Sequence, residues 1–86
     1  MEVSFTPQFR RQFKKLPIAL KEEALSKITQ LANIEQHETL RVHKLKGRLE
    51  GRWSFSVNYK FRIIFAWLHQ KTSIVLLEIG DHAIYD

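Results

Sequence analysis

The apolar residues of this chain follow one period over its first third and another from Trp53 onward, and that switch fixes which elements can form. Phe9, Phe13 and Leu16 stand at i, i+4 and i+7, with Arg10, Arg11, Lys14 and Lys15 between them. This is the stripe of an amphipathic helix. Thr6 and Pro7 precede it, and a Thr hydroxyl caps free amides while Pro suits the first helical position. Pro17 ends that helix and starts a second. The second is predicted from Ile18 to about Gln36, with Leu20, Ala24, Leu25, Ile28, Leu31 and Ala32 on its inner face. Two such helices joined at a proline make a helical hairpin, and core packing is the simplest role for both stripes.

From Trp53 the period is two. Trp53, Phe55 and Val57 alternate with Ser54, Ser56 and Asn58, and Phe61, Ile63, Phe65 and Trp67 alternate with Arg62, Ile64, Ala66 and Leu68. These are strands, and the link Asn58-Tyr59-Lys60 makes them an antiparallel hairpin. Ser73 to Ile79 is a third strand whose Ile-Val-Leu-Leu run suits a central position. Val3 and Phe5 alternate with Glu2 and Ser4, giving a short first strand, while Glu35 to Thr39 is polar and reads as loop. Arg41 to Gly51, punctuated by Gly47 and Gly51, is half strand and half turn. The expected fold class is α+β: an N-terminal strand and a helical hairpin packed on a small, mainly antiparallel sheet, with residues 1–86 as one domain.

Register then places a functional group. The hairpin buries most if Trp53, Phe55 and Val57 share a face with Phe61, Ile63 and Phe65. A one-residue slip would invert one of these sets. Val57 therefore pairs with Phe61 and Ser56 with Arg62. Arg62 is expected on the face away from the helices, beside Ser54 and Ser56, with open space around it.

Charge supplies the partner class. Fourteen Lys and Arg against nine Asp and Glu give a net charge of +5. Seven of these cations (Arg41, Lys44, Lys46, Arg48, Arg52, Lys60 and Arg62) fall between residues 41 and 62 with one acid, Glu50. Such an excess favours a polyanion, because each neutralised phosphate releases condensed counterions. There is no cysteine, so disulfides and thiolate metal sites are excluded. The four His residues are too scattered for a metal site, and no cofactor motif is present. No apolar run approaches the roughly 20 residues that cross a bilayer. Residues 1–7 carry no basic stretch followed by an apolar run, so the cytoplasm is the expected compartment.

A phosphodiester held by these cations needs little more to be cut if it is RNA, which carries its own nucleophile in the 2′-OH. That hydroxyl must lose a proton, the phosphorane must be stabilised, and the departing 5′-oxygen must gain a proton. Arg62, with Lys46 or Arg48, suits the nonbridging oxygens. His82, directly after Gly80-Asp81, suits proton transfer, and Tyr85 follows three residues later. His43 lies among phosphate-seeking side chains in His43-Lys44-Leu45-Lys46-Gly47. His37 and His69 lie in polar loops.

Several segments resemble the RelE/ParE superfamily of bacterial type II toxin–antitoxin toxins, and within it the RelE and YafQ-type ribonucleases. They are Phe9 to Pro17, His43 to Gly47, Trp53 to Val57, Phe61-Arg62-Ile63-Ile64-Phe65 and Ile79 to Tyr85. The resemblance implies a metal-independent endoribonuclease, without cofactor, that cuts mRNA on the 70S ribosome. It also implies a cognate antitoxin wrapped around the domain. By the same resemblance His82, Arg62, Tyr85 and His43 are catalytic, and Lys44, Lys46, Arg48 and Arg52 bind RNA. The free toxin is expected to be a monomer with no membrane partner. Ser54 and Ser56 replace two lysines of RelE itself, and Ala83 replaces a frequent acid. Two rivals remain: a ParE-like toxin that binds DNA gyrase and cuts nothing, and a non-catalytic RNA- or ribosome-binding module.

Overall fold

The computed structural model describes residues 1–33, 40–81 and 84. Its elements are β1 (Glu2–Phe5), α1 (Pro7–Lys14), α2 (Ile18–Leu31), β2 (His43–Lys44), a 3-10 turn at Gly47–Leu49, β3 (Trp53–Ser56), β4 (Arg62–Leu68) and β5 (Ser73–Gly80). The five strands form one sheet in the order β1-β5-β4-β3-β2. β1 runs parallel to β5, and every other neighbouring pair is antiparallel. β5 is an interior strand, paired on both sides by β1 and β4, as its apolar run predicts.

The expected hairpin register is present. Ser56 pairs with Arg62 and Phe55 with Ile63, and the Val57 amide donates to the Phe61 carbonyl at 3.0 Å. Phe55, Val57, Ile63 and Phe65 consequently share one cluster with Phe9, Ala24, Leu31, Leu40, Ile74, Leu76 and Ile79. This cluster lies between the helices and the sheet. Burying one such side chain is worth about 1.5–3 kcal/mol, so the pattern of alternation determines the register.

Helix α1 also completes the sheet. β1 reaches only as far as Leu76 of β5, and beyond it the β5 edge would be unpaired on that side. Thr6 closes the gap: its amide donates to the Leu76 carbonyl and its hydroxyl to the Leu77 carbonyl, while the hydroxyl oxygen accepts from Phe9 N. Further along, Gln12 Oε1 accepts the Ile79 amide at 2.9 Å. A β-bulge between β4 and β5 at this level shifts the pairing from Phe65–Leu76 to Ile64–Glu78.

Three local expectations are corrected. Helix α2 ends at Leu31, capped by Ala32, rather than near Gln36; the Asn33 amide bonds back to Gln30, the tightened turn with which helices end. Residues 34–39, which include the loop expected over Glu35 to Thr39, lie outside the described residues. Leu25 is 53% exposed and does not join the core, and Ile18 is exposed as well. Finally, the sheet face away from the helices is not wholly polar, because Ile64 and Ser54 are fully buried there and Leu49 is buried outside the main cluster.

Gln12 gives a direct test of the edge-capping role. Gln12→Ala leaves the Ile79 amide without its acceptor and is expected to cost about 1–2 kcal/mol of stability, measured by urea unfolding. A midpoint equal to that of the parent would mean that the edge needs no such cap.

Candidate nucleic-acid interface

Arg62 opens β4 directly after the hairpin turn and pairs with Ser56 on one side and Gly80 on the other. Its Nη1 donates to the Asn58 carbonyl at 2.5 Å and to the Phe61 carbonyl at 3.3 Å. Asn58 is therefore the residue that orients it. The Asn58 Oδ1 accepts from the Lys60 and Phe61 amides (2.9 and 2.8 Å), an Asx turn that sets the hairpin. Its Nδ2 donates to Glu23 Oε1 on α2 at 2.7 Å. The guanidinium is thus tied to its own turn, and the turn is tied to a helix. Arg62 is half-buried rather than surrounded by open space. Among the described residues, no acceptor engages its Nε or Nη2.

That guanidinium lines a hollow of about 240 Å³ together with Lys27, Arg41, Ser56, Asn58 and Tyr59. Lys27 of α2, Arg41 of the turn before β2 and Arg62 of β4 thus line one small space, and Tyr59 stands 90% exposed at its rim. Sequence reasoning placed Arg41 only in a charge run and gave Lys27 and Tyr59 no role. Lys27 lies far away in sequence, and nothing in a helix pattern reports what its outer face meets. Arg41 itself adopts φ +58, a left-handed conformation unusual for a residue with a Cβ. The Leu40 carbonyl beside it accepts the Ser56 amide at 2.9 Å, and the left-handed step carries the chain from that bond into β2.

His43 shares the Arg62 face. It pairs with Ser54, and Ser54 and Ser56 alternate onto the same side as Arg62. Two strand spacings and one two-residue step put the His43 and Arg62 backbones about 12 Å apart. The His43 Nδ1 lies 2.9 Å from the Arg41 carbonyl. A carbonyl only accepts, so Nδ1 is the protonated nitrogen and Nε2 of the neutral ring carries the lone pair. Arg52, exposed, continues the register two residues before Ser54 and lies on this side too, its carbonyl accepting from Leu45 N.

Lys44 does not join them. It pairs with Trp53 on the opposite face, where its Nζ stands 5.7 Å from the indole centroid. Sequence reasoning grouped Lys44 with His43 because they are adjacent, but adjacency in a strand separates side chains. Lys46 and Arg48 are exposed on the 3-10 turn beyond β2. His82 and Tyr85 lie outside the described residues. Of the segment that carries them, Ile84 is described: its amide bonds back to the Asp81 carbonyl at 3.2 Å, and its Cγ2 packs where a Cβ on Gly80 would be. Glycine at this position lets the chain fold back over the residue that pairs with Arg62. Among the described residues no group of three His, Asp or Glu side chains is placed to hold a metal ion, and no helix is long and apolar enough to cross a membrane.

Comparison with known proteins gives the same outline. A family model described as the RelE-like toxin of type II toxin–antitoxin system HigB matches residues 8–82. Among solved structures, the chain resembles a YoeB/ParE toxin from Agrobacterium tumefaciens, with a TM-score of 0.78 at 14% identity, covering 95% of this chain and 99% of that one. It also resembles YafQ from E. coli, with a TM-score of 0.75 at 19% identity, covering 98% and 96%. The RelBE2 toxin–antitoxin complex of Mycobacterium tuberculosis matches with a TM-score of 0.65 at 25% identity, covering 94% and 96%. No curated protein matches the chain in sequence.

Arg41 separates charge from stability. Arg41→Gly removes the guanidinium and suits the left-handed backbone, so folding stability is expected to hold or to rise by up to about 1 kcal/mol. Retention on a polyphosphate matrix should nevertheless fall. Loss of stability in this variant would show that the Arg41 side chain is needed for the fold.

Proposed function

The chain belongs to the family of RelE-like, HigB-like toxins of type II toxin–antitoxin systems, and on that premise we propose that it is a metal-independent endoribonuclease that cuts mRNA on the ribosome. The observation that carries this reading is the convergence of Lys27, Arg41 and Arg62 on one hollow. A phosphodiester seated there has its nonbridging oxygens among three cations, of which Arg62 is held in place by the Asn58 and Phe61 carbonyls, and such charge is what a pentacoordinate phosphorane needs. The exposed ring of Tyr59 offers a surface on which an adjoining base can stack.

Proton transfer falls to the histidines. His43 Nε2, with its lone pair free in the neutral ring, accepts the proton of the 2′-OH as that oxygen attacks phosphorus. The bond from phosphorus to the 5′-oxygen then breaks, and protonated His82 supplies the proton that this oxygen takes. The products are a 2′,3′-cyclic phosphate and a free 5′-OH. His82 follows Gly80, the residue paired with Arg62, by two positions in the sequence. Tyr85 stacks on a base or assists His82, and Arg48 and Arg52 hold the flanking backbone.

Control by a cognate antitoxin belongs to the same reading. Solved relatives include toxins bound to such partners. This chain leaves an apolar groove of about 290 Å³ between β1 and the two helices, where Phe5 and Leu25 are 58% and 53% exposed. An antitoxin segment laid there would cover them. The cytoplasm, where messages are translated, is the compartment this activity requires.

Induced expression of the wild type, His82→Ala and Arg62→Ala tests the assignment. The wild type is expected to arrest growth and leave discrete ends in translated messages by primer extension. His82→Ala should reduce cutting about 10²–10⁴-fold, and Arg62→Ala about 10²–10³-fold. Arrest that persists in both variants with messages intact would replace this reading with a toxin that acts by binding alone, on gyrase or on the ribosome.

A further inference from the structure

The face opposite Arg62 carries a second group of cations that the cleavage chemistry does not use. Lys44 Nζ stands 5.7 Å from the Trp53 ring centroid, and Lys71 Nζ stands 5.4 Å from the same ring. The two lysines come from different elements, β2 and the β4–β5 turn. Trp67 meets Trp53 edge-on, with centroids 6.2 Å apart, and fixes the ring from one side. Beside the ring opens a hollow of about 620 Å³ walled by Lys44, Lys46, Gly47, Glu50 and Gly51. A Cβ at either glycine would meet nothing within 4 Å, so this wall stands open to solvent.

The turn that presents Lys71 is itself unusual. His69, Gln70 and Lys71 all have positive φ, at 49°, 56° and 69°. Three consecutive left-handed residues, none of them glycine, are disfavoured by contacts of their own Cβ atoms. Thr72 holds the turn, its hydroxyl and its amide both donating to the His69 carbonyl. A loop kept in so costly a shape, when a glycine would relax it, points to a requirement for where its side chains stand.

We propose that the Trp53 hollow is a second RNA site, which takes one unstacked nucleotide of a single-stranded segment on the side away from the cutting centre. The inference rests on the ribonuclease reading for the identity of the polyanion as RNA. A base stacks against Trp53, its flanking phosphates lie against Lys44, Lys46 and Lys71, and the Glu50 carboxylate accepts from an amino or imino group on the base edge. An aromatic ring flanked by lysines fits a nucleotide better than an acidic peptide, which has charge but no π face. Strand alternation sets the two sites back to back, so the protein grips RNA on both faces of its sheet.

The test uses the full-length chain carrying His82→Ala, so that RNA survives, and a fluorescein-labelled single-stranded RNA read by anisotropy across a salt series. Lys44→Ala/Lys71→Ala is expected to raise Kd about tenfold and to lower the salt slope by about 1.4, two phosphate contacts at about 0.7 each. Trp53→Leu should raise Kd at least fivefold with the slope kept, while Trp53→Phe keeps most of the affinity. Ultraviolet crosslinking should mark Trp53 itself, not only Tyr59. Both lysine substitutions lie on exposed side chains, so circular dichroism should show the parent fold. Parent-like Kd and slope in the double lysine variant would overturn the proposal. If that variant also lost binding to a polyglutamate peptide, the hollow would belong to an acidic protein instead. The two readings fail separately. RNA held at Trp53 by a chain that leaves messages intact in cells sinks the ribonuclease and spares this site. Messages cut in cells by a chain whose Trp53 never crosslinks do the reverse.

Discussion

The pairing of β3 with β4 is the constraint on which the other placements depend. One turn sets it, with Asn58 Oδ1 accepting two amides and Val57 bonded to Phe61. One-residue slippage would turn Phe55 and Val57 toward solvent, or else Ile63 and Phe65, at a cost of several buried aromatic and branched side chains. The same slip would turn Arg62 into the core. Core and cationic site are thus two consequences of a single register. Asn58 links them physically, since the residue that shapes the turn also offers its carbonyl to the guanidinium and its amide to α2.

The elements whose pattern is repeated along the chain were legible from sequence. The helical stripes, the alternating strands, the interior place of β5 and the Ser56–Arg62 pairing all follow from period and turn length, which are local. What sequence misjudged was set by contacts between distant residues. Leu25 belongs to the apolar stripe yet faces a groove, because the neighbours that would bury it are not in this chain fold. Lys27 reaches the Arg62 hollow only once α2 has docked. Ile64 is buried on the outer face and Leu49 outside the main cluster, which no periodicity indicates.

Strand alternation also distributes the charge. A run of cations in sequence looks like one patch, but in β2 and β3 it is divided between two surfaces. His43 and Arg52 go one way with Arg62, and Lys44 goes the other way to Trp53. The positive field therefore surrounds the sheet rather than covering one side, which suits a small protein enclosed by a large polyanion. Gly80 acts at the point where this arrangement meets the C-terminal segment. By leaving room for Ile84 it lets that residue pack at the β5 position paired with Arg62.

The parallel pairing of β1 with β5 bears on when the sheet is completed. Val3 lies opposite Ile74, so β1 must wait for β5 before it has any partner in the sheet. Contacts so distant in sequence form late in folding, because long-range closure comes before any of its reward. A nascent chain halted before β5 emerges has the β3–β4 hairpin but lacks the strand that joins it to β1. Such a fragment is an unfinished sheet whose β4 edge is unpaired. The topology thereby withholds the complete five-stranded sheet until β5 has been made.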